Sequence, residues 1–292
     1  MTTQSLVVAL YGLGAATAWG SADYFGAKAS RRTNPIAATA AVSTIGTLLF
    51  TIFFMFNQGI HAWNSTGILY AIAAGISLEL GLLLFYRALN DGPVNVVSPV
   101  SSAYPLVTTA ISILIFGNRL SVLEYAGIAS VVIGIITATG LFSLKKSERK
   151  LSSGVVFALM TVVMWGVAFA LIAKGVEQLG WQKATLVNCY SGIAVLPFAL
   201  TFLGGTTSWH SITTKLFKDP NVIAAAAVQT LGGVLFSLGL TQAKSGAVIT
   251  AIAATYPVLT IFLAIVVLKE KAVAASLVGS FITILGIVIL SL

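Results

Sequence analysis

The sequence predicts an all-α integral membrane protein of ten transmembrane helices, arranged as two inverted five-helix repeats. Three observations predict it. The 292 residues are 58% hydrophobic and only 8% charged, with a mean hydropathy of +0.99, whereas a soluble globular chain carries about 25% charged residues. Ten apolar stretches reach the roughly 20 residues that a bilayer-crossing helix needs. One pattern also occurs twice, as SPVSSAYPLVTTAISILIFGNRL from Ser98 and as TAIAATYPVLTIFLAIVVLKEK from Thr250. In each copy a small-residue approach leads to a Tyr-Pro pair and then to a long apolar run.

In chain order the segments are 5–26, 35–56, 67–89, 94–116, 121–142, 152–173, 184–203, 221–242, 246–268 and 273–291. Segment 1 lacks a basic leader and a separate cleavage region, so it reads as a spanning helix rather than a removed signal peptide. Segments 4 and 9 contain Pro105 and Pro257. A proline inside a spanning helix removes a backbone hydrogen bond and bends it, so both are expected to be kinked hinges. The freed carbonyls would be those of Ser101 and Ala253, four residues earlier.

The longest polar connection between the halves, SLKKSERKLSS around Lys145–Lys150, divides the chain into residues 1–143 and 152–292. The two parts match. Trp19-Gly20 of segment 1 corresponds to Trp165-Gly166 of segment 6, and each pair is followed at equal distance by a lysine, Lys28 or Lys174. With a slightly larger offset Tyr104-Pro105 matches Tyr256-Pro257, and Thr108, Gly127 and Gly134 fall on Thr260, Gly279 and Gly286. Five is an odd number, so the second unit begins on the opposite membrane face, an arrangement typical of transporters. The same alternation places 4 of the 16 basic residues on the face of the termini and 12 on the other. By the positive-inside rule the termini lie outside.

These residues resemble the drug/metabolite transporter superfamily, specifically its ten-helix EamA-type members. The resemblance rests on the paired Trp-Gly motifs with their helix-end lysines, the two Tyr-Pro pairs, the G-x6-G spacing of segments 5 and 10, and the duplication itself. It covers essentially the whole chain. It implies an alternating-access carrier for small metabolites, with a cavity between the halves lined by segments 1, 3, 4, 6, 8 and 9. It also implies cytoplasmic termini, in disagreement with the charge count.

Of the eight carboxylates, seven are expected near segment ends or in loops. Glu79, in the middle of segment 3, is the exception. An ionised carboxylate at the bilayer centre costs roughly 2.5 kcal/mol or more, so Glu79 is expected to face the cavity and to bind a cation, a base or a proton. The structural alternative is a neutral Glu bonded between helices. At the repeat-matched position stands Leu231, with Gln229 beside it. Trp19, Tyr86, Ser102, Tyr104, Trp165 and Tyr256 complete the candidate substrate or coupling set. Pro105 and Pro257 are the hinges, while Lys28 and Lys174 serve as headgroup anchors at helix ends. Asp23, four residues after Trp19, reads as part of a polar mouth or an interfacial cluster with Tyr24 and Lys28.

Asn95, Ser98, Ser101, Thr250 and Thr255 surround the Tyr-Pro pairs and either bind substrate or satisfy one another. Asn188 and Tyr190 are secondary candidates. His61 and His210 fall in loops, and Cys189 reads as a packing residue. Neither an H-E-x-x-H nor a G-x-S-x-G pattern occurs, and Gly204-Gly205 and Gly232-Gly233 lack the Lys-Ser/Thr of a phosphate loop, so an enzyme is not expected.

The functional expectation is a carrier of the cell membrane for a small polar or amphipathic metabolite, an amino acid or organic amine, coupled to protons or to exchange. No cofactor, metal or nucleic acid is expected, and the carrier is read as a monomer with a dimer as the alternative. The competing reading is a non-transporting scaffold or subunit of a larger membrane assembly.

Overall fold

The structure, a computed structural model, describes residues 3–115, 122–138, 152–202, 210, 212–243, 246–269, 271 and 274–290. The linker around Lys145–Lys150, the loop cations Arg119 and Lys244, and Gly204-Gly205 lie outside the described residues. Among the described residues the regular structure is helical: α1 Thr3–Arg32, α2 Pro35–Phe56, α3 Ser65–Asp91, α4 Val94–Ser101, α5 Tyr104–Leu114, α6 Val122–Ala138 and α7 Ser153–Leu179. There follow α8 Trp181–Phe202, α9 Thr214–Phe217, α10 Pro220–Gln242, α11 Gly246–Ala253, α12 Pro257–Val266 and α13 Ala274–Leu290. Five of them, α2, α3, α7, α8 and α10, are long and apolar enough to cross a membrane.

Local chemistry sets the boundaries. Asn34 accepts from the backbone N–H groups of Ile36 and Ala37, with Pro35 in the first turn of α2, where a missing N–H costs nothing. Asn64, Ser152 and Asp219 cap α3, α7 and α10 in the same manner. Gly180 (φ 73°) turns the chain from α7 into α8 in a single residue, and a Cβ there would strike the His61 ring. Lys183 Nζ donates to the His61 carbonyl and lies 5.1 Å from the Trp63 ring centroid, which ties the 57–64 connection to the start of α8.

Segments 4 and 9 differ from the kinked helices that were expected. Each is broken in two. Pro105 and Pro257 stand in the first turn of α5 and α12, the place in a helix that tolerates proline. The breaks are the same in both halves. Ser102 N donates to Ser98 O and Ala103 N to Val100 O; correspondingly, Ala254 N donates to Thr250 O and Thr255 N to Ile252 O. The Ala253 carbonyl, expected to be free, accepts from Tyr256 N at 3.2 Å, because the chain tightens there into a three-residue turn that takes up the group Pro257 would strand.

The two halves pack crosswise and run in opposite directions. α1 lies along α10 and α3 along α7, while α6 pairs with α13. Arg31, at the end of α1, donates to the Leu89 and Gly92 carbonyls at the end of α3, and Gly154 at the start of α7 packs on the same Gly92. The second half therefore starts on the face where α1 ends. Large apolar side chains such as Leu10, Leu13, Phe53, Phe262 and Phe281 point outward, as a lipid-facing surface requires.

The Asp219 cap gives a testable consequence. Burial acts to raise its carboxyl, but the bonds it accepts from the Asn221 backbone and side chain, with the Arg32 charge, hold it below the usual carboxylate range. Asp219→Ala is expected to lower stability by about 1 kcal/mol near neutral pH. A folded-state value below the unfolded one means this contribution is present above the ordinary carboxylate range and fades as pH falls through the folded value. Thermal melts of parent and variant should therefore converge in acid.

Candidate functional site

A cavity of about 160 Å³ lies between the two halves, walled by α1, α2, α3, α7, α8 and α10 together with Tyr104 and Tyr256 at the two helix breaks. Its frame is built twice. The Trp19 indole lies over Gly232 of α10, and the Trp165 indole over Gly81 of α3; a Cβ on either glycine would collide with the ring. Phe236 then meets Trp19 at 5.5 Å and Phe85 meets Trp165 at 5.0 Å between ring centroids. Gly20 packs against the Tyr256 carbonyl and Gly166 against that of Tyr104. Thr260 Oγ1 lies 3.4 Å from Gly20 O, and Thr108 Oγ1 donates to Gly166 O at 3.0 Å. The twin Trp-Gly motifs thus serve one purpose: the glycine admits the broken helix and the tryptophan seats on the facing long helix.

These paired contacts correct one expected match. Gly81 and Phe85 correspond to Gly232 and Phe236, so Glu79 corresponds to Thr230 and not to Leu231. Gly192 packs on Glu79 as Gly46 packs on Thr230. One residue turns a helix by about 100°, which is why Thr230 lines the cavity while Leu231 is 51% exposed on the outside.

The polar groups break the symmetry. Glu79 is 7% exposed and accepts hydrogen bonds from Ser43 Oγ of α2, at 2.8 Å to Oε1 and 2.9 Å to Oε2. Asp23, 5% exposed, is a second buried carboxylate of the lining. It is neither a mouth nor an interfacial residue, because α1 continues to Arg32, well beyond the expected segment end. Its Oδ2 accepts from Ser98 Oγ of α4 at 2.6 Å and from Thr260 Oγ1 of α12 at 2.9 Å. Both acids come from the first half; their counterparts are Phe169 and Thr230. Among the described residues, no lysine, arginine or histidine lines the cavity.

Trp19, Glu79, Tyr86, Tyr104, Trp165, Gln229 and Tyr256 come together in the lining. Trp19 Nε1, Trp165 Nε1 and Tyr104 Oη are buried without hydrogen-bond partners. Tyr104 stacks on Phe169 at 4.5 Å, and Tyr256 Oη donates to Ser98 O at 3.4 Å. Ser102 lies outside the lining, its hydroxyl donating to Pro99 O. Ser101 is buried with an unpartnered hydroxyl, Asn95 reaches Lys271 O, and Thr255 donates to Ile252 O.

Lys28 donates to Tyr24 Oη and lies over the same ring, while Lys174 pairs with Glu177; neither lines the cavity. Ser43, Thr47, Thr185, Asn188, Cys189 and Ser237 also line it. Of these only Asn188 and Cys189 stood out in the sequence, the latter as packing; Ser43 and Thr47, four apart on α2, share a face that hydropathy does not mark. Tyr190 points outward and meets Thr51 Oγ1.

The sequence pattern of the EamA-like transporter family matches residues 6–140 and again 152–292. An uncharacterized protein of Methanocaldococcus jannaschii is 32% identical over 131 residues, which is 45% of this chain and 89% of that one. An uncharacterized transporter of Archaeoglobus fulgidus is 26% identical over 78% of this chain and 77% of its own length. A solved crystal structure, 16% identical, superposes with a TM-score of 0.61 over 97% of this chain and 95% of that one, a likeness of fold.

The tryptophan seats can be tested. A side chain at Gly81 or Gly232 meets an indole, whereas Gly233 faces open space. Gly81→Val and Gly232→Val are each expected to cost about 1–3 kcal/mol by overpacking. Gly233→Ala should leave the melting temperature in detergent unchanged.

Proposed function

Because the chain belongs to the EamA-like transporter family, we propose that it is a secondary carrier which moves a small metabolite bearing an ammonium group, an amino acid or organic amine, across the cell membrane by alternating access. The observation that carries this reading is the lining: two buried carboxylates, aromatic walls and no basic side chain among the described residues. An ammonium is attracted both to carboxylates and to the faces of Trp, Tyr and Phe rings. An anionic phosphate ester would meet only repulsion from Asp23 and Glu79.

In this proposal the chain crosses the bilayer ten times, with α1, the broken pairs α4–α5 and α11–α12, and the shorter α6 and α13 joining the five long helices. Glu79 recognises the ammonium or the coupling proton, positioned by Ser43. The repeats rock about the cavity, and the Tyr-Pro breaks absorb the motion.

Glu79→Gln keeps the shape and removes the charge. In liposomes supplied with radiolabelled amino acids and organic amines, the variant is expected to lose about tenfold or more of the parent's uptake, the equivalent of one charge-assisted hydrogen bond. A variant that transports like the parent from about pH 5 to about pH 8 removes Glu79 from the mechanism. If the parent moves none of these compounds and none raises its melting temperature, a non-transporting membrane subunit becomes the better reading.

A further inference from the structure

We propose that Asp23 is a proton-binding latch, whose charge state sets whether the two broken helices stay clamped to α1. This goes beyond the carrier reading and holds whatever the substrate. The geometry is specific. One carboxylate oxygen, Oδ2, takes a hydrogen from Ser98 on α4 of the first half and another from Thr260 on α12 of the second. These two hydroxyls sit on helices that end or begin at the Tyr-Pro breaks, so three separate helices meet at one atom. The Gly20 and Tyr256 carbonyls lie near the same Thr260 oxygen, at 3.4 and 3.2 Å, and Tyr256 Oη donates to Ser98 O, which closes the knot.

The second half has no copy of this knot. Phe169 occupies the place of Asp23, and Tyr104 stacks on it instead. A frame repeated contact for contact, with a carboxylate in one copy and a phenyl ring in the other, already joins its helices without the acid. The acid therefore adds a function that the apolar copy lacks: its strength depends on a proton.

Among the described residues, the groups facing Asp23 supply no permanent counter-charge. α3 contributes Tyr86 and Glu79, and the break before α12 contributes Tyr256. α4, α11 and α12 contain no ionisable side chain, and α2 and α10 bring only uncharged side chains to the lining. Both hydroxyls, at 2.6 and 2.9 Å, turn their hydrogens toward Oδ2, so its neighbours act as hydrogen-bond donors, and the proton is the ligand that fits.

The carboxylate form accepts both hydroxyl hydrogens in charge-assisted bonds, about twice as strong as neutral ones. When a proton from solvent adds to the carboxylate, the charge is lost, both bonds weaken, and α4 and α12 are released from α1. On the face where α1 ends, Ala27, Ala29, Ser30 and Ala88 are fully buried, so the helices pack closely there. Proton uptake at Asp23 is then the step that loosens that packing.

Hydrogen–deuterium exchange of the full-length protein in lipid nanodiscs tests this without any substrate. After correction for the intrinsic pH dependence of exchange, peptides covering 94–106 and 250–260 are expected to exchange about tenfold faster near pH 5 than near pH 8. Asp23→Asn should exchange at the fast rate at both values, and Glu79→Gln should keep the parent's profile. Thr260→Val retains the acid with one donor fewer and should exchange faster than the parent near pH 8. It carries the test by itself if Asp23→Asn does not fold. A flat parent profile, or an Asp23→Asn profile that runs parallel to it, overturns the proposal. Loss of the profile in Glu79→Gln also overturns it, by assigning the proton to Glu79. A failed uptake assay leaves this result untouched.

Discussion

One carboxylate oxygen, Asp23 Oδ2, joins α1 to α4 and α12 beside the Tyr-Pro breaks through two hydrogen bonds. In a bilayer every polar group must find its partner inside the protein. The Tyr-Pro breaks interrupt two helices where that demand is most severe, and α4 and α12 approach α1 just there. The hydroxyls of Ser98 and Thr260 answer the carboxylate, and the carboxylate draws the two ends together. Around it the rest is steric: glycines that let helices approach, and tryptophans that fill the space left over.

The doubled frame explains why the cavity can be both stable and selective. Packing contacts repeat in the two halves, so the walls need no special chemistry to stand. Chemistry enters where the copies differ. Asp23 faces Phe169 across the pseudo-symmetry, and Glu79 faces Thr230, so among the described residues both acids of the lining come from one half. A symmetric frame with an asymmetric set of polar groups can hold a small ligand in one orientation.

Much of this was legible in the sequence, and the failures have physical causes. Apolar length marked the helices, and the repeated Trp-Gly and Tyr-Pro pairs marked the frame. Glu79 was evident because apolar neighbours on both sides make its isolation visible. Asp23 was not. Hydropathy ended segment 1 near residue 26, whereas the helix continues through Lys28 to Arg32, because a long amphipathic side chain such as Lys28 can lie along Tyr24 and keep the helix going. The partners of Asp23 lie 75 and 237 residues away, beyond any local pattern. The Leu231 match failed by a single residue, which on a helix is the difference between cavity and lipid. Proline was read as a bend within a helix; the three-residue turns before each proline instead let it begin a new one.

The central claim is that a cavity with two acids and, among the described residues, no base selects positive charge. Thermal melting of the purified protein against matched sets of organic amines, zwitterionic amino acids and phosphate esters tests it directly. Compounds with an ammonium group should raise the melting temperature, and phosphate esters should not. Stabilisation by phosphate esters, with none from any ammonium compound, would contradict the account.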